Sequence, residues 1–327
     1  MTTTCKKVLI LGAGGFIGTW MTHKQKLMGH FVVGADMKRP EFTPSEADEF
    51  HLVDLSDERS FSRVFRLHEW DEIYQFAADM GGMGFIGTGD NDAELMTNSV
   101  LINAFVCKYV TAYSLRAKVL YTSSACIYPE QNQLDRQNPL CTEESAYPAN
   151  PDTNYGWEKL YSERMYLAHA KNYNLDFKVV RVHNTFGPYG SFRGGREKAP
   201  AALCRKVIQG NLEVWGDGTQ TRSFLYIEEL IEGLLKIMDS DATGPLNLGS
   251  EYLISINDLV DMIQDIAGSE LPVKYVKGPQ GVNGRVSDNS LLYEKVGWKP
   301  TSELQDGLHT TYHWIESELA KNTRTLR

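Results

Sequence analysis

Val8-Leu-Ile-Leu-Gly-Ala-Gly-Gly-Phe-Ile-Gly18 is where the chain declares its architecture. An unbroken apolar run bounded by glycine reads as a strand buried on both faces. A helix follows, reaching about Met28. Gly12 permits a tight turn, Gly15 lets a phosphate approach the backbone, and Gly18 lets the helix pack closely on the strand. The helix N-terminus then faces the phosphates. The next strand, Phe31–Asp36, ends in an acid at the spacing expected after such a turn. Together these residues predict a dinucleotide site lined by Gly12, Gly15, Phe16, Ile17 and Gly18. Asp36 suits a free ribose 2′-hydroxyl and repels a 2′-phosphate, which favours NAD over NADP. Lys38 and Arg39 follow closely and soften that discrimination.

Outward from this unit, strands and helices alternate. A third strand is expected at His51–Leu55, where Asp54 either hydrogen-bonds the adenine or caps the strand end. A fourth is expected at Asp71–Ala78, where the small Ala77 lets a cofactor lie close. Met80-Gly-Gly-Met-Gly-Phe-Ile-Gly87 holds too much glycine for a helix and too many apolar residues for a solvated loop. It reads as a loop lining a ligand site. A helix over 92–115 carries Asn98 toward the cofactor. Val119–Thr122 is a fifth strand and Phe177–Val182 a sixth. The alternation, with about seven parallel strands, predicts an α/β fold: a Rossmann-type doubly wound sheet with a smaller C-terminal α/β substrate-binding domain. Residues 1–183 and 222–249 are assigned to the NAD-binding domain. Residues 184–221 and 250–320 are assigned to the smaller one, and 321–327 to a disordered tail. The apolar stripes of helices 92–115 and 159–173 serve either the core or a four-helix dimer interface.

Between the fifth and sixth strands lies the chemistry. Tyr155 and Lys159 are four residues apart and so share a helix face. A lysine beneath a tyrosine lowers the phenol's pKa and prepares it as a base. Ser124 follows the fifth strand and can hydrogen-bond the same substrate oxygen. Cys126, two residues on, is the unusual member. A free thiol titrates near about 8.5, and neighbouring positive charge makes it a usable acid/base. The alternative is a small buried residue after a strand. The sheet's carboxyl edge brings Ser124 and Tyr155 together beside the cofactor.

Composition narrows the class. The chain has 327 residues, 42% hydrophobic and 23% charged, with a net charge of −9. No basic footprint points to nucleic acid or an anionic membrane. No stretch approaches the roughly 20 apolar residues of a membrane span. The five cysteines are scattered and form no C-x-x-C pair, so neither a disulfide framework nor a metal site is expected, and a cytoplasmic setting fits.

The pattern Gly12-x-x-Gly15-x-x-Gly18, Ser124 and Tyr155-x-x-x-Lys159 resembles the extended short-chain dehydrogenase/reductase family, which acts on nucleotide sugars. Ala77-Ala-Asp-Met-Gly-Gly-Met-Gly-Phe-Ile86, Ser123-Ser-Ala-Cys-Ile-Tyr-Pro-Glu130, Gly194-Gly-Arg-Glu-Lys-Ala-Pro-Ala-Ala202, Trp215-Gly-Asp-Gly and Gln220-Thr-Arg-Ser-Phe224 resemble its GDP-mannose 3,5-epimerase branch. The resemblance implies NAD as cofactor and a GDP-sugar as substrate. It implies C4 oxidation with Tyr155 as base, then proton exchange at C3 and C5 by Cys126 and Lys198. It also implies substrate contacts from Gly84, Ser124, Ala125, Asn184, Glu197, Ala199, Lys206, Gln220, Arg222, Ser223 and Arg285. Read from the residues alone, Lys198 is equally a loop cation, and Lys206 and Arg222 are surface charges or phosphate ligands. The chain departs from the branch at Gly87-Thr-Gly-Asp-Asn-Asp92 and at Asn283, which leaves a modified GDP-hexose or GDP-heptose open as substrate. Ala125-Cys126 stand where related 4,6-dehydratases place an acidic pair, and this disfavours dehydration. A 4-epimerase needs no thiol–ammonium pair. A non-catalytic NAD sensor would commonly lack Tyr155-x-x-x-Lys159.

Overall fold

The computed structural model describes residues 5–325. Strand β1 (Lys7–Leu11) is buried from Val8 onward. It pairs in parallel with β2 (Phe31–Asp36), which pairs in turn with β3 (Glu49–Leu52). On its other side β1 pairs with β4 (Glu72–Gln75), followed by β5 (Lys118–Ser124) and β6 (Phe177–Val182). A seventh strand, Leu246–Leu248, adds in parallel to β6. The order is β3-β2-β1-β4-β5-β6-seventh. Its direction of progress reverses between β1 and β4, where a doubly wound sheet opens a crevice at its carboxyl edge.

Alternate residues of each strand feed two cores. Leu9, Leu11, Val33, Ile73, Val119 and Tyr121 pack against helices Asp92–Tyr113 and Asn154–Tyr173. Val8, Ile10, Val32, Tyr74 and Leu120 pack against helix Ile227–Asp239. A third core gathers Phe192, Leu203, Val214, Leu259, Leu308 and Ile315, joining helices Ala199–Ile208, Ile256–Ala267 and Leu304–Thr325. Short strands at Thr221–Arg222, Ile254–Ser255 and Gly284–Arg285 form a small sheet beside it.

Several boundaries differ from the sequence expectation. The third strand ends at Leu52 instead of Leu55, because Asp54 Oδ1 accepts Ser56 N at 2.8 Å and closes a turn. Segment 80–87 is not all loop. Met83–Ile86 forms one helical turn, too short to stand alone and held by the burial of Ile86. The fifth strand runs on to Ser124, so that serine sits on the sheet's rim. The tail expected to be disordered from 321 is helical through Thr325. Ile315 and Leu319 anchor that helix to the third core, and a Lys321–Glu318 ion pair continues it. Residues 326 and 327 lie outside the described residues.

Candidate active site

The Gly-rich turn has the shape its glycines predict. Gly12 has φ +86°, and a Cβ there would lie 2.7 Å from Ala77 N, at the end of β4. Gly14, which the sequence reading passed over, lies closer still to its neighbours: a Cβ would fall 2.0 Å from Lys38 O. Its N–H donates to Asp36 Oδ2 at 2.9 Å, so the turn and the acid fix one another. Burial raises the Asp36 carboxyl above its usual value, with the backbone N–H groups of Lys38 and Gly14 opposing. Helix α1 (Phe16–Leu27) begins at Gly15 without a side-chain cap, which leaves its first N–H groups free for an anion. These residues fit a dinucleotide. Gly12, Gly15, Phe16, Ile17 and Gly18 would hold the pyrophosphate, Asp36 the ribose and Ala77 the ring beyond. Asp54 is exposed and engaged with Ser56 by both backbone and hydroxyl. Asn98 is half-buried on helix Asp92–Tyr113.

At the carboxyl edge, β5 delivers Ser124, which caps a 3-10 turn over Ala125–Ile127 by accepting Cys126 N at 3.2 Å. Thr153 caps helix Asn154–Tyr173 through Gly156 N and so places Tyr155 in the first turn. Tyr155 is buried beside Ser124, whose hydroxyl favours the phenolate. Burial holds the phenol far above its ordinary pKa; Cys126 and Glu158 add to this, and Ser124 opposes it. The sequence expectation that Lys159 lowers this phenol is corrected here. Lys159 Nζ donates to Thr122 O at 3.0 Å and lies 5.7 Å from the Tyr155 ring centre, nearer to Tyr121 at 4.9 Å. Burial lowers its own pKa, with Glu158, Glu163 and Cys126 opposing.

Cys126 is the meeting point. Arg285 Nη1 donates to its sulfur at 3.2 Å, from 159 residues away. Arg285 Nε also bonds Gln133 Oε1 at 2.5 Å, while Nη2 lies 3.9 Å from Asp152 Oδ1. Nη2 and that carboxylate oxygen are both buried without a hydrogen-bond partner, polar atoms held ready for a ligand. Burial works against the Arg285 charge, yet Cys126, Asp152 and Cys141 hold the guanidinium above its usual range. Lys198 is contributed by a separate segment, as the residue that precedes helix Ala199–Ile208. Burial lowers its ammonium pKa; Cys126 opposes this and Arg285 reinforces it. The structure therefore brings Ser124, Cys126, Tyr155, Lys159, Lys198 and Arg285 together.

The remaining predicted contacts lie around them. Asn184 Nδ2 reaches Ser223 O at 3.4 Å, and Ser223 N bonds Arg285 O. Arg222 donates to Gln280 O and Val282 O, and burial with Arg285's charge pushes it below its ordinary pKa. Lys206 is turned to Glu213 O at 2.6 Å, and Gln220 to Trp215 O at 3.3 Å. Gly84 lies against Gly195 and Trp215. Glu197 bonds Gly195 N and Arg205, and Ala125 is buried beneath the thiol's turn.

Sequence reading missed a buried polar chain behind the triad. Gln75 Nε2 donates to Ala77 O and to Asn103 Oδ1, and Asn103 Nδ2 donates to Glu158 Oε1. Glu158 is fully buried beside Lys159, its carboxyl pKa raised by burial against Lys159, Ser162 and Asn103. The available signal was an asparagine inside the apolar stripe Ile102–Val106–Val110.

The profile of the NAD dependent epimerase/dehydratase family matches residues 8–249, across both the Gly-rich turn and the triad. The chain belongs to that family. Within the NAD dependent epimerase/dehydratases it is 41% identical to the GDP-mannose 3,5-epimerase of Arabidopsis thaliana, over 96% of this chain and 83% of that protein. It is equally 41% identical to GDP-mannose 3,5-epimerase 1 of Oryza sativa subsp. japonica, with the same coverage. UDP-glucuronic acid decarboxylase 1 of Xenopus tropicalis is 28% identical over 96% of this chain and 73% of its own. Among solved structures, the UDP-glucose 4-epimerase of Thermotoga maritima superposes with a TM-score of 0.85 at 22% identity, covering 96% of this chain and 99% of that one. That likeness confirms the fold. Among the described residues there is no cluster able to hold a metal ion and no helix long and apolar enough to cross a membrane.

Proposed function

We propose that this chain epimerises GDP-mannose, or a closely related GDP-sugar, at C3, C5 or both, through a 4-keto sugar. The observation that carries the reading is the thiol of Cys126, which accepts from the Arg285 guanidinium, packs in one cluster with Tyr155 and lies near enough to Lys198 for their charges to interact. A dehydrogenase or a 4-epimerase needs only Ser124, Tyr155 and Lys159. A thiol and a second ammonium beside them supply two further proton-transfer groups. The 41% identity to GDP-mannose 3,5-epimerases supports the same reading.

NAD, when bound, supplies a hydride acceptor for C4 and a positive ring that favours the phenolate. Tyr155, aligned by Ser124, takes the proton from the C4 hydroxyl and later returns it. Lys159, on the same helix face and held by Thr122 O, lies 5.7 Å from the Tyr155 ring centre, on the side proposed for the nicotinamide ribose. A carbonyl at C4 acidifies the hydrogens on C3 and C5. Inversion requires removal from one face and return to the other, so one group cannot serve alone. Cys126 and Lys198 divide that work, and the lowered pKa of Lys198 brings its ammonium nearer to a useful proton donor and acceptor. Arg285, Arg222, Lys206 and Asn184 are the cationic and amide groups proposed to contact the diphosphate or the sugar.

The assembly proposed is a homodimer through helices Asp92–Tyr113 and Asn154–Tyr173. Leu101, Trp157, Tyr161 and Tyr173 are exposed on them. The five cysteines are all free, in keeping with a reducing, cytoplasmic setting. Incubation with GDP-mannose and a panel of nucleotide sugars in D₂O, followed by NMR, tests the reaction. Deuterium at C3 or C5 is expected; inversion at C4 without such exchange would replace this reading with a 4-epimerase.

A further inference from the structure

Lys198 stands at the end of a segment without regular structure. Between the short strand Thr185–Phe186 and the helix Ala199–Ile208 no helix or strand intervenes, and residues 193–196 are exposed. Cys126, by contrast, follows a seven-residue strand of the central sheet. A proton-transfer pair split between a rigid rim and a loop needs something to set the gap. A displacement of about 1 Å at such a group is enough to cost about 100-fold in rate.

One side chain in that loop spans to the other side. Arg196 Nη1 donates to Asp79 Oδ1 at 2.9 Å and to Met80 O at 3.1 Å. Its guanidinium lies 3.8 Å over the Phe85 ring. Its backbone carbonyl accepts Gly82 N at 3.0 Å. The two segments approach so closely that a Cβ on Gly82 would meet Glu197 O at 2.3 Å, which explains a glycine there. The segment thus gripped belongs to the catalytic rim: Met80, Met83 and Phe85 pack on the cluster formed by Ile86, Leu95, Cys126 and Tyr155. Arg196 therefore joins the surroundings of the thiol to the residue two places before Lys198. An exposed ion pair alone contributes little. Here two hydrogen bonds and a cation–π contact converge on one guanidinium, which fixes geometry more than it adds stability.

We infer that Arg196 is a positioning residue for the proton-exchange half of the reaction, clasping the Asp79–Phe85 segment to the Lys198 loop so that the ammonium stays registered with Cys126. The inference rests on the proposed 3,5-epimerase reading. It does not extend to C4, because Tyr155, Ser124 and Lys159 are held by the sheet and by helix Asn154–Tyr173.

The test compares wild type, Arg196→Met and Arg196→Lys as full-length enzymes with GDP-mannose in D₂O. C3 and C5 deuteration is read by NMR and reduction of the bound nicotinamide by absorbance. For Arg196→Met the expected result is a fall of about 30- to 100-fold in exchange, with nicotinamide reduction within about threefold of wild type. Arg196→Lys keeps the charge opposite Asp79 and is expected to recover part of the exchange. If the methionine variant does not fold, the lysine variant's own split between exchange and reduction decides. Equal loss of both readouts, or no loss of either, overturns the inference. Absence of C3 and C5 exchange in wild type would overturn instead the functional reading beneath it.

Discussion

The two halves of this site are built differently. Ser124, Tyr155 and Lys159 stand on a strand and a capped helix, backed by buried polar contacts. Lys198, Arg222 and Lys206 come from loops, short strands and a ten-residue helix around a separate core. On the proposed reading, the first half carries the chemistry common to a whole family, and the second, meeting Cys126 and Arg285, decides what happens to the ketone. A shared reaction tolerates a rigid frame, whereas selectivity rests on parts that can be exchanged without disturbing the sheet.

The contrast can be broken by single substitutions. Tyr155→Phe removes the base on which both steps are proposed to depend, and about 10³- to 10⁴-fold is expected to be lost in nicotinamide reduction and in C3/C5 exchange alike. Cys126→Ala should lose a comparable factor in exchange while the bound nicotinamide is still reduced. Stopped-flow absorbance and NMR separate the two variants.

The rigidity of the first half has its own test. Glu163 pairs with Arg181 at 3.0 Å and accepts Ser123 Oγ at 2.5 Å, all fully buried. Glu163→Gln leaves the guanidinium without its counter-charge and should cost about 3–5 kcal/mol in urea unfolding, because breaking a buried pair strands the other ion. A cost below about 1 kcal/mol would mean that the frame does not depend on this pair.

Glu158→Gln sharpens the electrostatic side. Glu158 opposes the lowering of the Lys159 pKa and adds to the raising of the Tyr155 pKa, so its charge resists proton loss from both. Removing it makes deprotonation of the pair easier. The acidic limb of the rate profile, where the base must lose its proton, should therefore move to lower pH. Loss of rate with an unmoved limb would indicate packing alone. The smallest effect is expected at Lys206→Ala, a rise of about two- to fivefold in KM, since its ammonium already has a partner in Glu213 O.

Much of this was legible in the sequence because it is encoded at short range. The Gly12–Gly18 turn, the acid at Asp36 and the Tyr155–Lys159 spacing each report a local geometry, and the seven parallel strands follow from the alternation. The position of Cys126, two residues past Ser124, was legible for the same reason. What stayed hidden depends on distant partners. Nothing near Arg285 announces that it will bond a thiol 159 positions away. Gln75, Asn103 and Glu158 look ordinary until β4 and two helices bring them together. Arg196 could be quoted within a motif, but its grip on Asp79 and Phe85 belongs to tertiary structure. The sequence argument for a lowered Tyr155 pKa failed because spacing conveys proximity to Lys159 and omits burial, which is the larger effect here.

The central claim is that Cys126 makes a ketone-forming enzyme into one that inverts its neighbouring carbons. GDP-mannose incubated in D₂O with wild type and with Cys126→Ala, and followed by NMR, tests it most directly. The account predicts deuterium at C3 or C5 with wild type and none with the variant, although the variant still reduces its bound nicotinamide. Undiminished C3 and C5 exchange in Cys126→Ala would contradict it.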